Sequence, residues 1–171
     1  MATKFTLRDT FHTDEDTYWN KIFFDLDYNK ELYIKTLKFG SYELLDRKDE
    51  GGGNFNKRTR IEPPLDAPMV IKKLVGDSLS YIEDGRFDAS TRRWKYNMLP
   101  SKMADKVTIK GELWVEKKGD KLIDRVCTVE VETRIFGVGS VFESFLEKQT
   151  RDSYRLVAAF TEQYIKTNGL G

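Results

Sequence analysis

Few residues in this chain could do covalent or acid–base chemistry, and that limits what it can catalyse. His12 is the only histidine and Cys127 the only cysteine among 171 residues. A metal site built on several imidazoles is therefore excluded, and a Cys–His nucleophilic pair requires these two side chains to meet. Their strands stand at opposite ends of the order of elements derived below. Cys127 alternates with Val129 and Val131 and reads as a small buried hydrophobe. No serine-nucleophile elbow, phosphate-binding loop or dinucleotide fingerprint is present; Gly51-Gly52-Gly53 lacks a following lysine, opens no helix and reads as a hairpin loop. The carboxylates that stand out are Asp9 and Glu83, because each interrupts an apolar or aromatic strand face, where an unpaired charge is costly. Paired with a cation such as Arg92 or Arg134 they are structural. Left in a cavity that raises its pKa, one of them could serve as an acid–base group. The sequence thus points to no catalytic residue, metal or cofactor outright.

Binding chemistry is better represented. Tyr81 and Phe87 face Trp94, Tyr96 and Met98 across a hairpin, with Leu113 on the following strand, and aromatics with polar tips both pack hydrocarbon and hydrogen-bond. From Val141 onward, Phe142, Phe145, Leu146, Gln149, Ser153, Leu156, Val157, Phe160 and Tyr164 recur with the 3.6-residue period of a helix face. Its middle is polar (Gln149, Asp152, Ser153). Either that turn faces a cavity whose polar groups orient a mainly apolar ligand, or the helix is rotated so that these residues face water. Tyr81, Trp94, Tyr96, Met98, Leu113, Phe142, Phe145, Gln149, Ser153 and Leu156 are the candidate ligand contacts, with ordinary core packing as the alternative for each aromatic. Met69, Val70 and Ile71, followed by Lys72 and Lys73, make a short amphipathic piece that is either a membrane-facing gate or a helix capping the sheet end.

The elements that must position these groups follow from periodicity and turn chemistry. Phe5, Leu7, Asp9 and Phe11 alternate with polar residues as a strand. Thr13, with Asp14, Glu15 and Asp16 behind it, predicts a capped helix running to Phe24, and Asp27 a second one leading to Gly40. Strands are then expected over 42–47, 55–61, 79–87, 91–99, 107–115 and 123–135, interrupted by the glycine turn, by Pro63-Pro64, by Asp88-Ala89-Ser90 and by Lys117-Lys118-Gly119-Asp120. Six strands in a row without long intervening helices predict an antiparallel meander. Gly137 and Gly139 end the last strand, and Ser140-Val141-Phe142-Glu143 has the form of a capping box. The helix from Val141 to Thr167 would be about 40 Å long at 1.5 Å per residue.

The 29 basic and 28 acidic residues nearly cancel, so no basic excess supports nucleic-acid binding and no acidic excess supports disorder. The length fits one domain, residues 1–171, with a core that needs no disulfide or metal. Met1-Ala2-Thr3-Lys4-Phe5 opens no apolar stretch of signal-peptide or membrane-spanning length. That predicts a cytoplasmic protein with peripheral membrane contact left open.

The order strand, two short helices, six strands, long amphipathic helix resembles the START-like helix-grip (SRPBCC) superfamily of lipid-transfer domains, plant pollen-allergen-like proteins and polyketide cyclases. More narrowly, Pro68-Met69-Val70-Ile71-Lys72-Lys73-Leu74-Val75-Gly76 and Ile135-Phe136-Gly137-Val138-Gly139-Ser140-Val141-Phe142-Glu143 are similar to an uncharacterised bacterial family within it, and more distantly to START-related sterol-transfer domains. The resemblance implies an α+β helix-grip fold, a curved antiparallel sheet of about seven strands around the last helix, and a cavity for a hydrophobic, lipid-like small molecule to be carried or sensed. Two alternatives stand beside that reading: a cyclase-like enzyme using a cavity carboxylate, and an interaction scaffold without a ligand.

Overall fold

The computed structural model describes residues 2–171. Its element order is β1 (Ala2–Phe11), α1 (Glu15–Thr17, continued by wide turns over Tyr18–Phe23), α2 (Leu26–Lys30, continued likewise over Glu31–Thr36), β2 (Ser41–Gly51), β3 (Asn54–Glu62), α3 (Met69–Val75), β4 (Tyr81–Asp88), β5 (Arg93–Pro100), β6 (Val107–Gly119), β7 (Leu122–Thr133) and α4 (Gly139–Thr167). The strands form one curved, wholly antiparallel sheet in the order β1-β7-β6-β5-β4-β3-β2. This is the expected meander, with β1 added beside β7. The element order and sheet are those of the helix-grip fold.

Alternation sets the inner face. Phe5, Leu7 and Phe11 of β1, Trp94 of β5, Leu113 of β6 and Cys127 of β7 are buried, while most of their sequence neighbours face out. The turn Gly51-Gly52-Gly53 carries φ of 86°, 63° and 85°, a left-handed run that side-chain-bearing residues resist. Glu62 is the last residue of β3 because Pro63 and Pro64 cannot extend the ladder.

Helices α1 and α2 differ from expectation at their caps and along their length. Asp14, not Thr13, caps α1 by accepting from the Thr17 amide at 2.8 Å, and the Thr13 hydroxyl instead donates to the Leu170 carbonyl at 2.6 Å. Asp25, not Asp27, caps α2 by accepting from the Tyr28 amide at 2.8 Å. Both helices then widen to five-residue hydrogen-bond spacing, with the Phe24 amide donating to the Trp19 carbonyl and the Leu37 amide to the Leu32 carbonyl. In α1 the wider turn aims Trp19, Phe23 and Phe24 at the sheet together. They pack with Phe55, Phe87 and Trp94 at ring separations of 4.8–6.2 Å and fill that end of the concave side.

Helix α4, 29 residues or about 43 Å long, packs on β1, β7 and α2. The expected capping box at its start does not form. The helix begins at Gly139, and the Glu143 carboxylate turns away from its own N-terminus into the sheet. There its Oε1 accepts from the Thr133 amide at 3.1 Å and the Thr133 hydroxyl at 2.9 Å, and its Oε2 accepts from the Thr3 hydroxyl at 2.7 Å. Tethering the helix to β7 and β1 satisfies three sheet donors that a local cap would leave unmatched. At the far end the Tyr28 and Thr161 hydroxyls meet at 2.7 Å.

Burial alone would raise the pKa of Glu143, but its three hydrogen bonds prevail and lower it. A carboxylate with a depressed folded-state pKa stabilises the fold above the ordinary glutamate value of about 4.3 and loses that contribution as pH falls through the folded value. Glu143→Ala should therefore destabilise by about 1–3 kcal/mol in chemical denaturation at pH 7, from the donors left unsatisfied, with the difference from the parent shrinking on acidification below about pH 4.

Candidate functional site

The aromatic plug under α1 leaves the other half of the concave side unfilled. Two adjoining hollows lie there. The outer one, about 150 Å³, sits between the sheet and α4 and is walled mainly by Leu37, Ile61, Met98, Ile109, Val131 and Val157. The inner one, about 60 Å³, lies toward the plug and is far more polar, with Asn29, Tyr42, Lys57, Thr59, Glu83 and Trp94 around it. Tyr33, Ile61, Glu83, Tyr96 and Tyr154 border both. A shallow vestibule of about 180 Å³ continues the outer hollow to the surface, between the α2 end (Leu37, Phe39), Pro63 and Pro64 after β3, and Gln149 and Ser153 of α4. Across this mouth the Gln149 amide donates to the Pro64 carbonyl at 3.1 Å.

Two glycines keep the hollow from being filled by the sheet's own side chains. A Cβ on Gly85 would overlap the Trp94 ring and one on Gly111 the Tyr96 ring. The two rings thus lie down along neighbouring strands instead of standing up into the space above them. Tyr96 and Tyr154 both reach toward Cys127, with Oη to Sγ distances of 3.6 and 3.4 Å, and burial raises the pKa of all three groups. Cys127 is a neutral, enclosed thiol, inert as a nucleophile. His12 stands just past the end of β1, exposed, with Nδ1 3.2 Å from Glu162. β1 and β7 turn out to be neighbours, so it is the position of His12 beyond the strand end, not a remote sheet edge, that keeps it from Cys127.

The two singled-out carboxylates have different fates. Asp9 pairs with Arg125 directly opposite on β7, and not with Arg92, which serves Glu15 and Asp16, nor with Arg134, which lies beyond β7. Arg125 is 4% exposed and also stacks on Tyr154 at 4.5 Å. This is a structural ion pair. Glu83, in contrast, has no ion-pair or hydrogen-bond partner among the described residues and borders both hollows. Burial raises its pKa, only partly opposed by Lys57 and by the Trp94 indole nearby. Lys57 lies one diagonal step away, opposite Gly85 on β3, and burial lowers its pKa.

Of the residues singled out by sequence, Tyr81, Met98, Gln149 and Ser153 border the outer hollow, Trp94 and Leu113 the inner one, and Tyr96 both. Phe145 and Leu156 reach only the vestibule. Phe142 borders none of these spaces and packs edge-on against Phe145. The polar turn of α4 is split: Gln149 and Ser153 face inward, whereas Asp152 pairs with Lys148 and Arg155 at the surface. Helix α3 buries Ile71 and Val75 and exposes Met69, Val70 and Leu74, and it borders no part of the hollow. Sequence reasoning missed Lys57, Thr59, Tyr33 and Tyr154. The first two were detectable, since Lys57 and Thr59 break the inward series Phe55, Ile61 as Glu83 breaks its own.

A broader depression, about 850 Å³, lies on the outer face of the sheet. Its charges are largely matched to one another, as in Lys4–Glu130 at 3.0 Å and Arg93–Glu112 at 2.9 Å beside it, which leaves an ordinary solvated face. Among the described residues no group of three His, Cys, Asp or Glu side chains could hold a metal ion.

The family model described as "Protein of unknown function (DUF2505)" matches residues 9–165. No curated protein matches the chain. Among solved structures, the Zhui aromatase/cyclase from Streptomyces sp. R1128 is similar with a TM-score of 0.67 and 15% identity over 97% of this chain and 94% of that one. A norcoclaurine synthase from Thalictrum flavum, in complex with dopamine and hydroxybenzaldehyde, gives 0.64 and 16% over 98% and 88%. A START superfamily protein from Mycobacterium smegmatis gives 0.62 and 11% over 95% and 98%. At these identities the likeness establishes the fold.

Gly111→Ala should force Tyr96 off the sheet at a cost of about 1–3 kcal/mol in denaturation. Because the folded-state pKa of Glu83 is raised, its ionisation should erode stability as pH climbs from about 4.3 through the folded midpoint. Glu83→Gln should remove that slope, read as the parent–variant difference in Tm from pH 4 to 8; an unchanged difference across this range would show that Glu83 is not the group responsible.

Proposed function

The chain belongs to the DUF2505 family, and from its helix-grip cavity we propose that it binds a small, mainly hydrophobic molecule between the sheet and α4, as a carrier or sensor. The observation that carries this reading is the unfilled outer hollow, apolar on most of its wall and open to the surface beside Gln149. Mostly apolar pockets with a few convergent polar groups are the usual form of a small-molecule site, and burying hydrocarbon there contributes roughly 25 cal/mol per Å². At about 150 Å³ the hollow is below the ~300–1,000 Å³ of drug-sized ligand sites, which favours a ligand of one or two rings or a short chain over a sterol. The fold neighbours include a cyclase and a synthase crystallised with two small aromatic compounds. Those activities are theirs; what supports binding here is this chain's own wall.

Tyr81, Tyr96, Met98 and Ser153 are the proposed outer contacts and Trp94 and Leu113 the inner ones, while Phe145, Gln149 and Leu156 guard the entrance. Phe142 is assigned to packing. For α3 we propose the capping role, since Ile71 and Val75 anchor it and no wall of the hollow comes from it. Its exposed Met69 and Val70, with Lys73 beside them, would lend only weak attraction to an anionic membrane. No helix among the described residues is long and apolar enough to cross a membrane.

A second reading, acid–base catalysis in the cavity, is favoured by Glu83, an unpaired carboxyl with a raised pKa bordering the space where a substrate would sit. It requires turnover that Glu83→Gln abolishes.

Titration with 1-aminoanthracene, a neutral apolar fluorophore, should give saturable enhancement in the parent. Ser153→Phe, which puts a ring into the outer hollow, should weaken it at least tenfold, with Tm nearly unchanged. Leu156→Ala, at the exposed rim, should change affinity less than twofold. Native mass spectrometry after gentle purification should find a co-purified apolar molecule in the parent and not in Ser153→Phe. Equal probe binding by parent and Ser153→Phe would remove the support for this reading.

A further inference from the structure

The inner hollow contains more unmatched polar chemistry than a lining for hydrocarbon needs. Trp94 is 1% exposed and Thr59 3%, yet the Trp94 Nε1 has no hydrogen-bond partner and the Thr59 Oγ1 lies near the Tyr42 hydroxyl without hydrogen-bond geometry. Lys57 is 9% exposed as a residue, and its ammonium makes no ion pair or hydrogen bond among the described residues; the ammonium lies 5.5 and 5.6 Å from the Phe24 and Trp94 rings. The Glu83 carboxyl faces the same space, near the Trp94 N–H but short of hydrogen-bond geometry. Four polar groups from three adjacent strands, β3, β4 and β5, thus converge on about 60 Å³ and stop short of one another. Of the four, the Trp94 Nε1 and the Thr59 Oγ1 are fully enclosed; such groups are nearly always hydrogen-bonded, and leaving each unmade costs about 1–3 kcal/mol.

We propose that the inner hollow is a head-group subsite for a hydroxyl, so that the ligand class is a small phenol or alicyclic alcohol whose ring fills the outer hollow. This assignment rests on the binding function proposed above. Charge and donor balance select the hydroxyl. Lys57 and Glu83 are opposite charges on one hollow that do not pair directly, so a carboxylate would add a second negative charge beside Glu83 and an amine a second positive charge beside Lys57. A carbonyl accepts from Trp94, Thr59 or Lys57 but offers nothing to the Glu83 carboxylate. A hydroxyl donates to Glu83 and accepts from the Trp94 N–H or Lys57 with one atom, bridging the gap the protein leaves open. The small volume admits that oxygen and the edge of the ring bearing it, and the apolar wall begins at Ile61 and Tyr96, where the two hollows join.

Naphthalene, 2-naphthol and 2-naphthoate share one ring system and differ in the head group. Followed by NMR chemical-shift titration of the full chain, 2-naphthol should bind at least tenfold tighter than naphthalene or 2-naphthoate. Trp94→Phe keeps a ring in the plug and removes the N–H; it should reduce the 2-naphthol preference about fivefold while leaving naphthalene affinity within twofold. Lys57→Met provides the same comparison if Trp94→Phe is too unstable, with Tm recorded for both. Equal affinities for naphthalene and 2-naphthol, tighter binding of 2-naphthoate, or a preference untouched in both variants overturns the hydroxyl subsite and leaves the apolar cavity standing. Failure of all three compounds to bind overturns the cavity reading together with it.

Discussion

Helix α4 is tied down at its two ends; between them it packs along β1 and β7 and borders the hollow over the middle of the sheet. At its start, Glu143 takes hydrogen bonds from Thr133 on β7 and Thr3 on β1, and near its end Thr161 meets Tyr28 while Thr13 holds the Leu170 carbonyl. A helix about 43 Å long fixed at such points cannot sink onto the sheet between them without breaking buried hydrogen bonds. The middle of the concave side must then be filled by side chains or left hollow. At one end six aromatic rings fill it. Beyond them Trp94 lies flat over Gly85 and Tyr96 over Gly111, and a space remains toward the other end.

The architecture was legible in the sequence because it is written in local signals: alternation for the strands, glycine and proline for the turns, a 3.6-residue stripe for α4. What was not legible depends on partners distant in the chain. The Ser140–Glu143 pattern satisfies every local rule of a capping box, but Thr133 and Thr3 compete for the same carboxylate and win. Thr13 is lost as a cap for a similar reason, to a carbonyl 157 residues away. The candidate site was half legible. Tyr96, Gln149 and Ser153 face the hollow as the periodicities allowed, whereas Phe142, on the same stripe, is one helical turn too near the anchored start of α4 to reach it. Glu83 was visible as a charge on an apolar face. Lys57 broke the facing strand in the same way, and only the cross-strand register shows that the two interruptions lie one diagonal step apart.

Polarity inside the fold is consequently of two kinds. Asp9 and Arg125 neutralise each other directly across β1 and β7, and their surroundings of Tyr154 and Phe11 hold the guanidinium in place. Thr59 and Trp94 have buried polar atoms without a partner, and Lys57 and Glu83 border the same hollow without pairing. The first arrangement balances its charge without a ligand, with only the Arg125 Nε left unpaired; the second has its chemistry turned toward an enclosed space. That difference separates a structural ion pair from a recognition surface, and it ties the fold's generic cavity to something particular to this chain.

The central claim is that the space under α4 is a binding cavity held open by the anchored helix. Its most direct test is a crystal structure of the gently purified protein, read for electron density between Met98, Ile109, Val131 and Tyr154. Continuous density larger than ordered water, reaching from the vestibule beside Gln149 toward Glu83, is the predicted result. A space closed by Tyr96, Tyr154 or Met98 in other rotamers, with α4 settled against β5 and β6, would contradict it.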